Sequence, residues 1–158
     1  LALGLRVLEA DRIDAGIRDS VRELAPELLV VVAFGRIFRQ SFLDLFPRGG
    51  VNVHPSLLPL HRGPSPIASA ILCGDRETGV TVQRIALEVD AGEVFAQRRV
   101  GLDGTETTGS LTTRLGEVGA GLLGEVLAAI EAGTTAPVRQ EGAVTCCSVV
   151  FEASPAAG

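Results

Sequence analysis

The sequence predicts an α/β fold in which a mostly parallel sheet is flanked by helices. Its 158 residues, 46% hydrophobic and 21% charged, suit one folded domain with a buried core. Short β-branched apolar runs alternate along the chain with segments of helical periodicity, the order typical of parallel α/β sheets. Because reactive groups in such sheets gather beyond the carboxyl ends of the strands, we expect the functional residues there.

The first half of the chain predicts three helices and two strands. Apolar residues at helical spacing indicate a helix over 13–24. The run LLVVVAF at 28–34 is continuous and β-branched, which is typical of a strand buried on both faces. A short helix at 40–45, a strand at 51–54 and a helix at 64–72, with proline in its first turn, follow.

The second half predicts two strands, a long helix and a tail. Residues 80–85 and 94–100 alternate as strands do. Thr108 is expected to cap a long helix that ends at Gly133. One apolar stripe runs along that helix: Leu111, Leu115, Val118, Leu122, Val126 and Ile130. The segment 143–150 is predicted as an edge strand.

Composition narrows the class of protein. A net charge of −5 argues against free-standing nucleic-acid binding, and no apolar run is long enough to predict a membrane span. The three cysteines, Cys73, Cys146 and Cys147, make a poor disulfide framework, so a reducing cytoplasm is expected. Cys73 is expected in the core. No His/Cys cluster has metal-ligand spacing, so no metal is predicted.

Both histidines of the chain lie in VNVHPSLLPLHRGPSP, residues 51–66. Asn52 and His54 are two apart in a predicted strand and therefore share a face. A histidine can exchange a proton near pH 7, and a carboxamide can donate to an oxygen that gains negative charge. The pair suits acyl transfer without a protein nucleophile, although a structural histidine fits the same pattern. Asp90, in VDAG, is either its carboxylate partner or an ordinary turn residue.

Four sequence blocks, NVHPSLLP, RGPSPI, GDRETGVT and VDAG, occur in that order. Together they resemble the formyltransferases that use 10-formyltetrahydrofolate, and most closely the methionyl-tRNA formyltransferases. The resemblance implies a Rossmann-like formyltransferase fold that is incomplete at the N-terminus and lacks the family's C-terminal domain. The absence of methionine also favours a fragment. Residues 1–150 are then a partial catalytic domain, and 151–158 begin a linker.

The resemblance also implies roles for individual residues. Asn52, His54 and Asp90 correspond to the catalytic residues. The residues implied in folate binding are Ser56, Leu57, Leu58 and Pro59 of the SLLP segment together with Arg36, Phe38 and Val89. His61 is expected to be a loop side chain without a catalytic role, and Arg62 either shapes the loop or meets the RNA end.

The implied activity is transfer of the formyl group of 10-formyltetrahydrofolate to the free amino group of initiator methionyl-tRNA. In the implied mechanism Asn52 and protonated His54 stabilise the oxyanion, while Asp90 orients His54 and helps to move the proton. No metal is required, the tRNA is bound mainly by parts absent from this chain, no membrane is involved, and the full-length protein is expected to be a monomer.

Three alternatives remain open at this point. One is a glycinamide ribonucleotide formyltransferase of purine synthesis, which fits NVHPSLLP and VDAG equally well. The second is a sugar-nucleotide N-formyltransferase. The third is a catalytically silent remnant that binds folate.

Overall fold

The computed structural model describes residues 4–149, which form one mixed sheet flanked by helices. The strands are β1 (Leu29–Val32), β2 (Gly50–His54), β3 (Glu77–Arg84) and β4 (Val94–Gly101). The helices are α1 (Ala15–Glu23), α2 (Gln40–Leu43), α3 (Pro66–Leu72) and α4 (Thr108–Glu131). In this part of the chain no helix is both long and apolar enough to cross a membrane.

The four described strands lie in the order β1-β2-β3-β4. The β1 and β2 strands pair in parallel, whereas β3 is antiparallel to both β2 and β4. The predicted α/β class is therefore confirmed, but the prediction of a mostly parallel sheet is wrong for these strands. Strand periodicity reports which side chains share a face and carries no information on strand direction. Direction is decided by how the connections pack.

The core lies between the sheet and α4. The buried apolar side chains of this cluster are Val51, Val80, Val82, Val100, Leu111, Leu115, Leu122 and Val126. The predicted stripe on the long helix thus faces β3 and β4. Thr107 caps this helix instead of Thr108, and its hydroxyl accepts from the Ser110 N–H in a capping box. The helix packs against β3, which pairs with β2, and the candidate site is built on these two strands.

The β1 strand is buried on one face only. Val31 is 7% exposed, whereas Val30 and Val32 are 40% and 59% exposed. The prediction of burial on both faces is therefore wrong within the described residues. An apolar, β-branched composition shows that a strand can be covered, but the packing around it decides whether it is.

Two further predictions need correction. Cys73 is the C-terminal cap that follows α3; it is exposed and lies outside the core, whereas the buried residues of α3 are Pro66 and Ala70. The segment predicted as an edge strand at 143–150 forms only an isolated bridge, between Arg62 and Cys146, over its described residues. It lies against the loop after β2 through short backbone hydrogen bonds, including one of 2.7 Å from the Cys147 N–H to the Arg62 carbonyl. The predicted linker at 151–158 lies outside the described residues.

Candidate active site

The three residues predicted to be catalytic converge where β2 ends. Asn52 lies in β2 beside Gln83 of β3, and His54 is the last residue of β2. Asp90 comes from the loop that follows β3. Its Oδ1 atom lies 3.5 Å from the Asn52 amide nitrogen and 3.5 Å from the Nδ1 atom of His54. Residues 38 positions apart in the sequence thus share one site.

Two hydrogen bonds and a tight turn fix the Asp90 carboxylate. Oδ1 accepts from the Gln83 amide at 2.9 Å, and Oδ2 accepts from the backbone N–H of Gly63 at 2.8 Å. The turn itself needs Gly92, because a Cβ there would lie 1.7 Å from the Arg84 carbonyl oxygen. The VDAG sequence is therefore a turn as well as the source of the carboxylate, so both interpretations of Asp90 apply at once.

His54 is buried, and its environment favours the neutral imidazole. Its Nε2 atom lies 3.0 Å from the His61 carbonyl oxygen, which can only accept, so Nε2 carries the hydrogen. Burial lowers the pKa of His54 below the usual 6.5, and this effect outweighs the negative charge of Asp90 and the His61 carbonyl, which raise it. The resting ring therefore has a free Nδ1 lone pair on the side of Asp90. This differs from the protonated His54 of the implied mechanism.

A cavity of roughly 1040 Å³ opens beside these residues. Its walls include the segment after β1 and the loop after β3. Among the predicted folate contacts, Arg36, Phe38 and Val89 line it. Phe34, which also lines it, stacks on Phe38 with ring centroids 4.7 Å apart. A cavity of this size with mainly apolar walls and a few polar groups is typical of a small-molecule site.

The four residues of the SLLP segment are not among the cavity-lining residues. All four are buried residues of the loop that follows β2: Ser56, Leu57, Leu58 and Pro59. The hydroxyl of Ser56 donates to the Leu60 carbonyl at 2.6 Å, and the backbone N–H of Leu58 donates to the Thr81 hydroxyl. Their placement indicates that they build the loop, and it gives no support to the predicted folate contacts.

Two glutamines complete the site, and the sequence reasoning missed both. Gln83 orients Asp90, as described above; its position opposite Asn52 becomes visible only once the strands are paired. Gln140 follows the long helix, and its amide nitrogen lies 2.8 Å from the backbone carbonyls of both Asp90 and Gly92. Its side-chain oxygen accepts from Arg62 at 2.7 Å. No local pattern could have indicated a residue 50 positions away from its partner.

The residues after the SLLP segment make contacts that the sequence did not predict. His61 lies in a loop, as expected, but it is buried and its ring pairs with Asp75. The side chain of Arg62 is 14% exposed and is bonded to Gln140 and Glu88, which agrees with a role in shaping the loop. An RNA contact of Arg62 stays a prediction. Across residues 4–149 no group of three potential metal ligands occurs.

Comparison with known proteins identifies the family of this chain. Residues 7–127 match the family model described as Formyl transferase. The chain belongs to the formyl transferase family. The methionyl-tRNA formyltransferase of Treponema pallidum (strain Nichols) is 55% identical over 130 residues, which cover 82% of this chain and 41% of that protein. Seven other curated relatives, at 36–55% identity, carry the same name.

Several solved structures share the fold of this chain. HypX from Aquifex aeolicus in complex with tetrahydrofolic acid superposes with a TM-score of 0.72 at 25% identity, covering 82% of this chain and 23% of that chain. Phosphoribosylglycinamide formyltransferase from Streptococcus pneumoniae gives 0.68 at 27% identity, covering 74% and 65%. The predicted family and its Rossmann-like fold are thus confirmed. The chain spans about half the length of the curated relatives it matches.

Proposed function

We propose that this chain carries the catalytic site of an enzyme that transfers the formyl group of 10-formyltetrahydrofolate to the amino group of methionyl-tRNA. The observation that carries the proposal is the convergence of Asn52, His54 and Asp90 in the wall of a single cavity. Identities of 36–55% to relatives named for methionyl-tRNA favour this acceptor over glycinamide ribonucleotide, since three relatives named for the latter are 25–29% identical.

The cavity suits the formyl donor. Its volume of roughly 1040 Å³ admits a ligand with a flat heterocycle, and Phe38, Val89 and Arg36 supply apolar and cationic walls. One structural relative was solved with tetrahydrofolic acid bound. We assign the contacts around the pterin to these three residues, with the catalytic residues at the reacting end.

The mechanism follows from the positions of the donors and acceptors. The neutral amine of the acceptor forms the new C–N bond, and the oxygen of the formyl group gains the electron pair of its π bond. The Asn52 amide donates a hydrogen bond to that oxygen. His54, neutral at rest, accepts at Nδ1 the proton that the amine loses. It returns a proton to N10 of the folate as the oxyanion re-forms the C=O bond and the electron pair of the old C–N bond leaves with N10.

The surroundings of His54 can stabilise the protonated ring that forms during the reaction. Once Nδ1 is protonated, Asp90 faces it at 3.5 Å, and the His61 carbonyl still accepts from Nε2 at 3.0 Å. Both N–H groups of the imidazolium then have acceptors. The site thus stabilises the positive charge of His54, which exists only after proton transfer. This stabilisation lowers the barrier to formyl transfer because the resting state does not share it.

The remaining properties of the full-length protein rest on the family resemblance. We propose a cytoplasmic monomer that acts without a metal and without a membrane. The net charge of −5 is unsuited to phosphate binding, so this chain is expected to supply little of the affinity for tRNA.

The test is a formyl-transfer assay on the full-length protein. Formyl transfer from 10-formyltetrahydrofolate is measured with methionyl-tRNA, with glycinamide ribonucleotide and without an acceptor. Asn52→Ala and His54→Ala should each lower kcat by ~10² to 10³-fold, because each removes one group that acts on the transition state. The dissociation constant of the folate should change little.

Gln40→Ala is the matched control for Asn52→Ala, because it truncates a carboxamide on the exposed surface of α2. Its kcat should stay at the wild-type value. Near-normal turnover of both site variants would contradict the assignment of the site. Transfer to glycinamide ribonucleotide in preference to methionyl-tRNA would contradict the acceptor, and no transfer to either would favour the silent folate-binding alternative.

A further inference from the structure

We propose that His61 and Asp75 are positioning residues that hold the His54 imidazole in the tautomer that accepts the proton. This inference rests on the proposed role of His54 as proton acceptor. His61 presents its backbone carbonyl to the Nε2 atom of His54 at 3.0 Å. The place of that carbonyl decides which nitrogen of His54 carries the hydrogen.

All three polar parts of His61 are engaged. The carbonyl accepts from His54, and the backbone N–H donates to the Thr145 hydroxyl at 2.8 Å. The ring Nε2 lies 2.7 Å from the Asp75 carboxylate, with the side chains 11% and 29% exposed. Thr145 and Asp75 therefore both anchor the loop at His61. Of these two contacts, only the one with Asp75 involves the side chain of His61.

The backbone of His61 needs such support. Its φ is +54°, in the left-handed region that residues with a Cβ rarely adopt. Strained residues persist only where the surroundings determine them. Asp75 is itself fixed, because its backbone N–H donates to the Ala70 carbonyl of α3 at 3.0 Å. A chain of contacts thus leads from the end of α3 through Asp75 and His61 to His54.

Loss of the contact between His61 and Asp75 would change the state of the His54 ring. If the loop relaxes, the buried Nε2–H of His54 loses its acceptor. The favoured alternative places the hydrogen on Nδ1, where Asp90 accepts it, and leaves no lone pair on that side of the ring. Neither His61 nor Asp75 is among the cavity-lining residues. The expected defect therefore lies in proton transfer and not in folate binding.

The first arm of the test is kinetic and uses the full-length protein. His61→Leu and Asp75→Ala should lower kcat by ~10 to 10²-fold, the loss expected when a reacting group is misplaced by about 1 Å. The KM for the formyl donor should stay unchanged. His61→Gln should recover most of kcat, because its amide nitrogen can still donate to Asp75. Glu125→Gln, which breaks the exposed ion pair with Arg98, is the matched control and should leave kcat unchanged.

The second arm observes His54 directly and needs no substrate. In protein labelled with ¹⁵N-histidine, the signal that disappears in His54→Gln identifies the ring. The wild-type ring should show the Nε2–H tautomer with a slowly exchanging proton, and His61→Gln should preserve it. His61→Leu and Asp75→Ala should shift the ring to the Nδ1–H tautomer or speed up the exchange.

The two arms separate failure of this inference from failure of the proposed function. If the ring responds as expected in a protein that transfers no formyl group, the positioning role stands and the proposed function fails. If His61→Leu and Asp75→Ala keep both the wild-type tautomer and kcat, the inference is wrong. A fall in kcat with a matching rise in KM and an unchanged tautomer would show a merely structural role and would also overturn it.

Discussion

Asp90→Asn removes the negative charge that lies beside His54 and leaves a side chain of almost the same shape. The carboxylate oxygen lies 3.5 Å from Nδ1, and the side chains of His54 and Asp90 are 6% and 12% exposed. For an effective dielectric constant of about 20, two unit charges at this distance attract by about 5 kcal/mol. Because the attraction exists only while His54 is protonated, its loss should lower kcat by up to about 10³-fold.

The substitution should leave folate binding nearly intact. The proposed folate contacts are Arg36, Phe38 and Val89, and asparagine keeps one acceptor for the N–H of Gly63 or the amide of Gln83. The assay compares single-turnover formyl transfer with the dissociation constant of the folate measured by fluorescence titration. Asp19→Asn, at an exposed carboxylate on α1, is the control for the loss of one charge. A kcat for Asp90→Asn within tenfold of the wild type would refute the proposed stabilisation of the cation.

Two further predictions concern pH and backbone geometry. Because neutral His54 is the active form and burial lowers its pKa, kcat/KM should fall as the pH drops through a value below 6.5. In Asp90→Asn this acid limb should move to lower pH, since the carboxylate raises the pKa; a limb that does not move would contradict the assignment to His54. Gly92→Ala should lower the melting temperature and abolish transfer, because its Cβ would meet the Arg84 carbonyl oxygen at 1.7 Å. Gly101→Ala, whose Cβ would meet nothing within 4 Å, should behave as the wild type in thermal melts and in the transfer assay.

Local sequence patterns predicted all eight helices and strands of residues 4–149, but they also predicted a strand at 143–150 that forms only an isolated bridge. The helix expected at 13–24 is observed as Ala15–Glu23, and the strand expected at 51–54 is Gly50–His54. Side-chain periodicity within one element is a local property, so the sequence also predicted that Asn52 and His54 share a face. The family motifs identified the carboxylate that belongs to the same set.

Only the tertiary structure decided the properties that depend on residues far apart in the chain. The antiparallel direction of β3 and the exposure of Val32 follow from packing that no local pattern encodes. The state of His54 is of the same kind, because the lowered pKa comes from burial and the tautomer from a carbonyl seven residues away. The role of Gln140 likewise arises from contacts across 50 positions. The sequence by itself predicted which side chains are reactive. Their protonation states and hydrogen-bond partners depend on burial and on contacts that exist only in the folded chain.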